Sequence, residues 1–355
     1  MTSIAFVLPV GGGAGGAHSV VQEVTALRDL GVEASVLVNT ANADAFRRNY
    51  DRFAWVADGG LKVFEGPREL AQRAAGADVL IATTNTSVHS VAEALREIRA
   101  NPPRTGYYVQ DYEPLFYEVG TSEHSLAVAS FTVLRQCTYF AKTNWLTGVV
   151  QAAHGHDARL VVPSIDHGIY RPARSARSGA RMVAAMVRPA TPRRAPRRTL
   201  AMLARLAAGE FGAVETVAFG TDEEGLAEAG LTLPEGVRLV GHLKQVEVAE
   251  LLRGTDYFLD LSDYQAFGRT AAEAMACGCI ALAPSLGGAP DFIEDGVNGF
   301  LVDSCDEAAV DIAVRRMMSL SDAELTAIRL AGLEAVAGYT PLRAAISELR
   351  ALGMA

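Results

Sequence analysis

Two arginines on one short loop have the residue type and spacing that could bind a diphosphate. Arg188 and Arg193 lie five residues apart in the segment RPATPRR, directly after an apolar run that reads as a strand. Pro189 and Pro192 stiffen the backbone between them. Guanidinium groups fixed in this way can neutralise a diphosphate and stabilise it as it departs.

A second candidate anion site is the segment 262–279, SDYQAFGRTAAEAMACGC, which reads as a strand end, a glycine turn and a helix. The backbone amides of residues 267–270 would point out of the helix N-terminus toward an anion. Glu273 has two interpretations. It follows Thr270 by three residues and so fits a capping box. Its carboxylate could instead accept hydrogen bonds from the vicinal hydroxyls of a ribose, which the nearby arginines favour.

A glycine loop over Gly11–Gly16 carries the pattern G-x-G-x-x-G between a predicted strand and a predicted helix. Glycines there let backbone amides approach an anion or a polar ligand, although a turn needed only for packing explains them as well. The next strand ends at Asn39 with no acid to hold a ribose, which disfavours a nicotinamide oxidoreductase. His18 follows the loop and would face the ligand-binding cleft of the protein.

Residues 107–120, YYVQDYEPLFYEVG, place polar and acidic groups after another predicted strand. Aromatic rings beside carboxylates are typical of sugar-binding surfaces, because the rings cover apolar sugar faces while the acids hold hydroxyls. Asp111 is the candidate acid of this segment. The alternative is an ordinary strand exit, which Pro114 supports.

An arginine-rich stretch surrounds the first loop, with ten Arg and no acid between His167 and Gly209. A solvated basic surface is the simpler interpretation for Arg171, Arg174, Arg177, Arg197 and Arg198. A peripheral contact of residues 171–205 with a membrane or another polyanion is the alternative. The whole chain has 32 Lys and Arg against 41 Asp and Glu, a net charge of −9 that disfavours a nucleic-acid binder.

The elements that position these residues alternate between short apolar strands and helices. The predicted strands are 4–10, 33–38, 77–82, 105–109, 181–187, 214–219, 237–240, 256–261 and 279–283. The predicted helices are 19–30, 87–99, 197–208, 246–253, 269–277, 306–318 and 341–352. A polar stretch at 163–180 interrupts the pattern, so we expect two doubly wound α/β domains that meet near residue 165. Ligands would bind in a cleft beyond the carboxyl ends of the strands.

Composition agrees with this organisation. The chain has 355 residues, of which 50% are hydrophobic, enough for two cores at about 150 residues per domain. No apolar run reaches the ~18 residues of a membrane span, and the N-terminus lacks a charged leader. The four cysteines form neither a CxxC pair nor a zinc spacing, so we expect no structural metal or disulfide and a cytoplasmic setting.

With these motifs in view, the sequence resembles the retaining glycosyltransferases of family 4, which have the GT-B fold. The segment QAFGRTAAE falls on the family's Glu-x7-Glu signature, and GGAPDFIEDGVNGF falls on its following loop. Arg188 and Arg193 fall on the family's Arg and Lys, and the glycine loop on its first-domain loop. MVRPATPR and YYVQDYEPLFYEVG are similar to a bacterial branch that includes rhamnosyltransferases.

This resemblance implies transfer of a sugar, with retained anomeric configuration, from a nucleoside-diphosphate donor to a saccharide, lipid-linked or small-molecule acceptor. It implies no metal and no other cofactor. The fold would be α/β, with two Rossmann-like domains facing across a cleft. Residues 1–164 would bind the acceptor, residues 165–338 would bind the nucleotide sugar, and residues 339–355 would form a helix that packs back on the first domain.

The resemblance also assigns roles. The implied catalytic residues are Arg188, Arg193, Asp111 and His18. The implied donor-binding residues are Gly12, Gly13, Gln265, Ala266, Phe267, Gly268, Arg269, Thr270 and Glu273, with Glu273 on the ribose. Gln265 replaces the first Glu of the signature; an amide donates and accepts but carries no charge, which is compatible with a deoxysugar such as rhamnose. The same change keeps a catalytically weak or inactive sugar-nucleotide-binding protein as the alternative.

Overall fold

Two parallel sheets organise the chain. The computed structural model describes residues 2–13, 15–172 and 180–355. It divides into a first unit, Met1–Ser164 with Tyr339–Ala355, and a second unit, Ile165–Gly338. Within the described ranges, no helix combines the length and the apolar character needed to cross a membrane.

The first unit contains a parallel sheet with the strand order β3-β2-β1-β4-β5-β6-β7 in the described residues. Its strands are β1 Ser3–Val7, β2 Glu33–Asn39, β3 Leu61–Phe64, β4 Val79–Ala82, β5 Arg104–Val109, β6 Thr138–Ala141 and β7 Arg159–Leu160. Its helices are α1 Gly15–Asp29, α2 Thr40–Asn49, α3 Ala54–Ala57, α4 Gly66–Ala74, α5 Asn85–Glu97, α6 Ser122–Ala129, α7 Asn144–His154 and α14 Pro341–Ala351. A 3₁₀ turn spans Glu113–Phe116.

Burial on both faces of the sheet explains these apolar strands. Phe6 and Val36 on neighbouring strands are both fully buried and pair directly across the parallel ladder. Helix α1 covers one face with Val20 and Val24. Helix α14 packs against α1 and adds Leu349 to the same core.

The second unit contains a parallel sheet with the order β10-β9-β8-β11-β12-β13 in the described residues. Its strands are β8 Met182–Met186, β9 Glu215–Phe219, β10 Val237–Leu239, β11 Tyr257–Leu259, β12 Ile280–Pro284 and β13 Phe300–Val302. Its helices are α8 Pro196–Ala207, α9 Glu223–Glu228, α10 Gln245–Arg253, α11 Arg269–Ala276, α12 Glu307–Met318 and α13 Asp322–Ala337. Two 3₁₀ turns span Pro192–Arg194 and Ala289–Asp291.

The expected doubly wound α/β architecture is confirmed in each unit, and one local prediction is wrong. Helix α1 begins at Gly15 rather than at residue 19, so the end of the predicted glycine loop is the first turn of the helix. The predicted strand 105–109 is confirmed as β5 Arg104–Val109, so Asp111 lies two residues beyond its end. Arg174 and Arg177 of the arginine-rich stretch, and Ala14 of the glycine loop, lie outside the described residues.

Candidate functional site

Arg188 lies at the carboxyl end of β8, on the loop that the sequence singled out. Its Nε lies 3.4 Å from the Sδ of Met186, the last residue of the strand. Burial lowers the pKa of the Arg188 guanidinium, and the positive charge of Arg193 lowers it further. The structure therefore brings the two predicted cations close enough to interact.

Arg193 ties this loop to the segment after β11. Its carbonyl oxygen accepts a hydrogen bond from the Asp263 amide at 2.8 Å. The guanidinium carbon lies 5.8 Å from the centre of the Tyr264 ring, a cation–π arrangement. The loop is thus fixed against the strand exit that precedes the signature segment.

Helix α11 begins at Arg269, with Gly268 as its N-cap in the left-handed region at a φ of 88°. Gly268 supplies no side-chain cap, and Thr270 is the second helical residue, so the capping-box interpretation of Thr270 and Glu273 is wrong. Phe267, expected to present its amide at the site, and Ala266, expected among the donor-binding residues, precede the helix and are buried. The amides of the first turn remain the donors of a helix N-terminus.

Glu273 is only 5% exposed. Its Oε1 lies 3.2 Å from the Arg269 guanidinium. The Glu273 carboxylate also accepts a hydrogen bond from the side chain of Tyr170, which is a buried residue. Burial raises the pKa of Glu273, and the Arg269 charge opposes that shift. The carboxylate expected at the ribose is therefore held by two partners within its own unit.

Gln265, expected at the hydroxyls of the transferred sugar, is engaged inside the second unit. Its Nε2 donates to Asp260 Oδ2 at 2.6 Å and to Ser262 Oγ at 3.0 Å. All three residues are less than 9% exposed. Gln265 thus orients a carboxylate that the sequence reasoning did not single out.

One small pocket lies at the carboxyl ends of β8 and β11. It is lined both by residues that the sequence analysis assigned to the site and by residues that it did not. Its lining residues are Met186, Arg188, Arg194, Phe258, Leu259, Asp260, Ser262 and Thr270. Arg188 and the start of α11 therefore meet, as the sequence reasoning expected, whereas Glu273 does not line this pocket. Asp260 could have been suspected from its sequence position, since an acid follows a buried strand there.

The backbone of Gln265 is fixed by a close approach of the loop after β12. The Gly288 amide donates to the Gln265 carbonyl oxygen at 2.8 Å. A Cβ at Gly287, where φ is 117°, would lie 2.0 Å from that same oxygen. Only glycine fits there, because any side chain would displace the signature segment.

The glycine loop of the first unit packs against an aromatic side chain. A Cβ at Gly12, where φ is 90°, would lie 2.6 Å from the Tyr50 ring. Gly13 also has a positive φ, 79°, but has no close neighbour. Packing therefore explains Gly12, while Gly13 remains the more open position. The Tyr50 hydroxyl lies 3.0 Å from His18 Nδ1, so His18 is oriented by a buried tyrosine.

Asp111 has a second acid beside it. Glu113, in the 3₁₀ turn after β5, accepts a hydrogen bond at 2.9 Å from the amide of Asn85, the first residue of α5. Burial raises the pKa of Glu113 to about 7; the Asn85 hydrogen bond opposes this shift and the Asp111 charge adds to it. This half-buried pair therefore includes a carboxyl group that titrates near neutral pH.

The aromatic residues of this segment mostly contact rings elsewhere in the first unit. The Tyr112 hydroxyl lies 3.0 Å from His154 Nε2, and His154 stacks on Phe131 with a ring separation of 4.1 Å. Leu115 and Phe116 are instead exposed, at 52% and 40%. The side chains available to a sugar face are thus fewer than the aromatic density of the sequence suggests.

The solvated-surface interpretation is wrong for Arg198. Its Nη1 donates to Asp263 Oδ1 at 3.0 Å and to the Leu261 carbonyl oxygen at 2.8 Å. Arg205 similarly donates to Asp311 Oδ2 at 2.7 Å. These arginines bind acids that are distant in sequence, which charge counting along the chain could not reveal. Within the described ranges, no cluster of three or more His, Cys, Asp or Glu residues is arranged to hold a metal ion.

Comparison with known proteins supports these observations. Residues 175–329 match a family described as glycosyl transferases group 1. The O-antigen biosynthesis protein RfbC of Myxococcus xanthus is 32% identical over 224 residues, covering 62% of this chain and 16% of that protein. The D-inositol 3-phosphate glycosyltransferase 1 of Catenulispora acidiphila is 32% identical over 109 residues, covering 31% of this chain and 26% of that protein. The chain thus spans about a quarter or less of the length of these two relatives.

Solved structures match over the whole chain. HepE of Anabaena, in complex with UDP-glucose, has a TM-score of 0.79 at 17% identity, and the match covers 100% of both chains. WaaG, a glycosyltransferase involved in lipopolysaccharide biosynthesis, has a TM-score of 0.68 at 13% identity, with 99% of both chains covered. The chain thus has the GT-B fold of glycosyltransferases, and its residues 175–329 match the glycosyl transferases group 1 family.

Proposed function

We propose that this protein is a retaining glycosyltransferase of family 4 that uses a nucleoside-diphosphate sugar. One observation carries the proposal: Arg188 and the first turn of α11 line one pocket at the carboxyl ends of β8 and β11. The pocket lies within the residues that match the glycosyl transferases group 1 family. A cation and a helix N-terminus that converge in this way favour an anion, and a diphosphate is the anion that sugar transfer releases.

In this mechanism, the bond between the anomeric carbon and the diphosphate oxygen breaks while an acceptor hydroxyl attacks the same face of the sugar. The acceptor proton passes to the departing diphosphate. Arg188, Arg193 and the α11 amides stabilise the negative charge that develops on the leaving group. Fixed donors on a developing anion contribute about 2.7–4 kcal/mol each. The chain's own residues supply this stabilisation, and we propose that no metal is needed.

The other assignments complete the proposal. Residues 165–338 would bind the donor, with Glu273 on the ribose, and residues 1–164 would bind the acceptor, with Asp111 or His18 near the reacting sugar. Relatives named for O-antigen biosynthesis and for D-inositol 3-phosphate support a saccharide or small-molecule acceptor, and a lipid-linked one fits the same chemistry. We propose a hexose or a deoxyhexose such as rhamnose as the transferred sugar.

A cytoplasmic setting with a peripheral membrane contact through residues 171–205 is part of the proposal. Arg181, Arg198 and Arg205 are engaged by acids, and Arg188 and Arg193 belong to the proposed diphosphate site. The candidate contacts among the described residues of this stretch are therefore the exposed Arg171 and Arg197. Co-sedimentation with anionic vesicles at low salt, lost when both are changed to Gln, tests this contact. Equal sedimentation of the variant would contradict it.

A catalytically weak sugar-nucleotide-binding protein is the second candidate. The observation that favours it is Gln265, whose amide is engaged by Asp260 and Ser262. A thermal-shift screen with dTDP-, UDP- and GDP-sugars identifies the donor, since a ligand at 100 times its Kd adds about 2.7 kcal/mol. Release of the nucleoside diphosphate from that donor then separates the two candidates: turnover supports the enzyme, whereas tight binding without release supports the binding protein.

A further inference from the structure

The pocket of the second unit contains an ion pair to which neither the sequence signature nor the proposed mechanism assigns a role. Arg194 Nη1 lies 4.0 Å from Asp260 Oδ2. The Asp260 side chain is 8% exposed and that of Arg194 is 28% exposed. Both residues line the pocket together with Arg188 and Thr270.

Asp260 is held by its neighbours in one orientation. Its Oδ1 accepts hydrogen bonds from the Ser262 amide at 3.1 Å and from the Ser262 hydroxyl at 2.5 Å. Its Oδ2 accepts the bond from Gln265 Nε2 at 2.6 Å. A carboxylate that is nearly buried persists only with such partners, so the position of its charge is fixed.

Gln265 makes this contact as a donor that carries no charge. A glutamate in the same place would bring a second carboxylate within about 2.6 Å of Asp260 Oδ2, and two such groups repel. The amide at 265 and the acid at 260 therefore depend on each other. Arg194 is the cation next to that fixed carboxylate.

We propose that Arg194 is a further diphosphate-binding residue, held toward the pocket by Asp260, and that Asp260 and Gln265 are its positioning residues. This inference rests on the proposed function. A guanidinium group has five donors in a planar fork, so it can contact Asp260 on one side and a phosphate on another. Arg193 instead carries its guanidinium over the Tyr264 ring.

Titration calorimetry with UDP, dTDP and GDP on the full chain tests this inference. Arg194→Gln should lower the affinity for the preferred diphosphate about ten- to a hundredfold, the range for a charged hydrogen bond. Arg194→Lys, which keeps the charge but loses the fork, should give a smaller loss. Arg238→Gln removes an exposed arginine on β10 and should leave the affinity unchanged.

The outcomes separate the inference from the proposed function. If the unmodified chain binds none of the three diphosphates, the proposed function fails and the inference with it. If the unmodified chain binds one of them and Arg194→Gln binds it equally well, only the inference is overturned.

A double-mutant cycle tests the positioning role. Gln265→Glu should lower diphosphate affinity through its repulsion of Asp260, and Asp260→Asn should lower it because Arg194 then loses its carboxylate partner. In an Arg194→Gln background, Gln265→Glu should cause no further loss. An equal loss in both backgrounds would mean that Gln265 does not act through Arg194 and would overturn this role.

Discussion

Glu23 and Lys142 form an ion pair of 2.8 Å in the first unit, with side chains that are 0% and 6% exposed. Glu348, on α14, is also buried, and it lies against this pair. Burial raises the pKa of Glu348 well above its usual range, and the charge of Glu23 raises it further, while Lys142 opposes the shift. Glu348 therefore keeps its proton in the folded chain at pH values where the unfolded chain has lost it.

This arrangement predicts that stability falls as pH rises. Below the unfolded pKa of about 4.3 both states carry the proton, so Glu348 costs nothing. Above it the unfolded state gains by losing the proton, and the loss of stability grows up to the folded pKa. Glu348→Gln should raise Tm at pH 7 and flatten its decrease between pH 4.5 and pH 7. Melting curves at several pH values check this, and a parallel decrease in the variant would contradict it. Glu334→Gln, an exposed control on α13, should leave the curve unchanged.

Glu113 predicts a pH dependence in the activity. Its pKa of about 7 means that the group loses its proton between pH 6 and pH 8. If this acid pair serves the acceptor, Glu113→Gln should remove that step from the pH profile of kcat. Rates at half-unit intervals from pH 5.5 to pH 8.5 are the measurement. A step near pH 7 that persists in the variant would assign it to another group.

Substitution of Gly12 and of Gly13 by Ala should lower stability by different amounts. Gly12→Ala forces both a positive φ and a clash with the Tyr50 ring, whereas Gly13→Ala forces only the φ. We expect Gly12→Ala to lower stability by about 1–3 kcal/mol more than Gly13→Ala does. Urea unfolding of the two variants tests the packing role of Gly12. Equal losses would show that the approach to Tyr50 is unimportant.

The position of Glu273 predicts a loss of affinity for nucleoside diphosphates but not for pyrophosphate. If its carboxylate binds the ribose, Glu273→Gln should lower the affinity for the nucleoside diphosphate about tenfold, since hydrogen bonds to a charged group contribute about 1.5–3 kcal/mol. Affinity for inorganic pyrophosphate should not change, because the phosphates contact other residues. Calorimetry with both ligands is the check. An equal loss for pyrophosphate would place Glu273 on the phosphates or in the folding of the site.

The sequence predicted most of the strands because the inner strands of each sheet are buried on both faces and therefore read as apolar runs. It did not reveal β3, β6, β7 or β13, whose strands have only two to four residues. Strands this short are recognised only where neighbouring residues extend the apolar run, as residues 256–261 do around β11. The N-terminus of α11 was placed correctly at Arg269, but its cap was not, since Gly268 occupies that position with a positive φ.

Within the candidate site, residue type and spacing identified Arg188, because its position directly after a strand can be read from the local sequence without knowledge of long-range contacts. The contacts between Gln265 and Asp260, and between Tyr50 and His18, depend on turns and long-range packing. Single-residue patterns do not encode those distances. Arg194 is adjacent to Arg193 in sequence, and only the loop geometry distinguishes their directions.

The most direct test of the central claim is the turnover of Arg188→Ala with the nucleotide sugar that the unmodified chain prefers. If the guanidinium stabilises the departing diphosphate, kcat should fall by about 10²–10³, with Tm close to that of the unmodified chain because Arg188 is not part of the hydrophobic core of the second unit. Turnover equal to that of the unmodified chain would contradict the account.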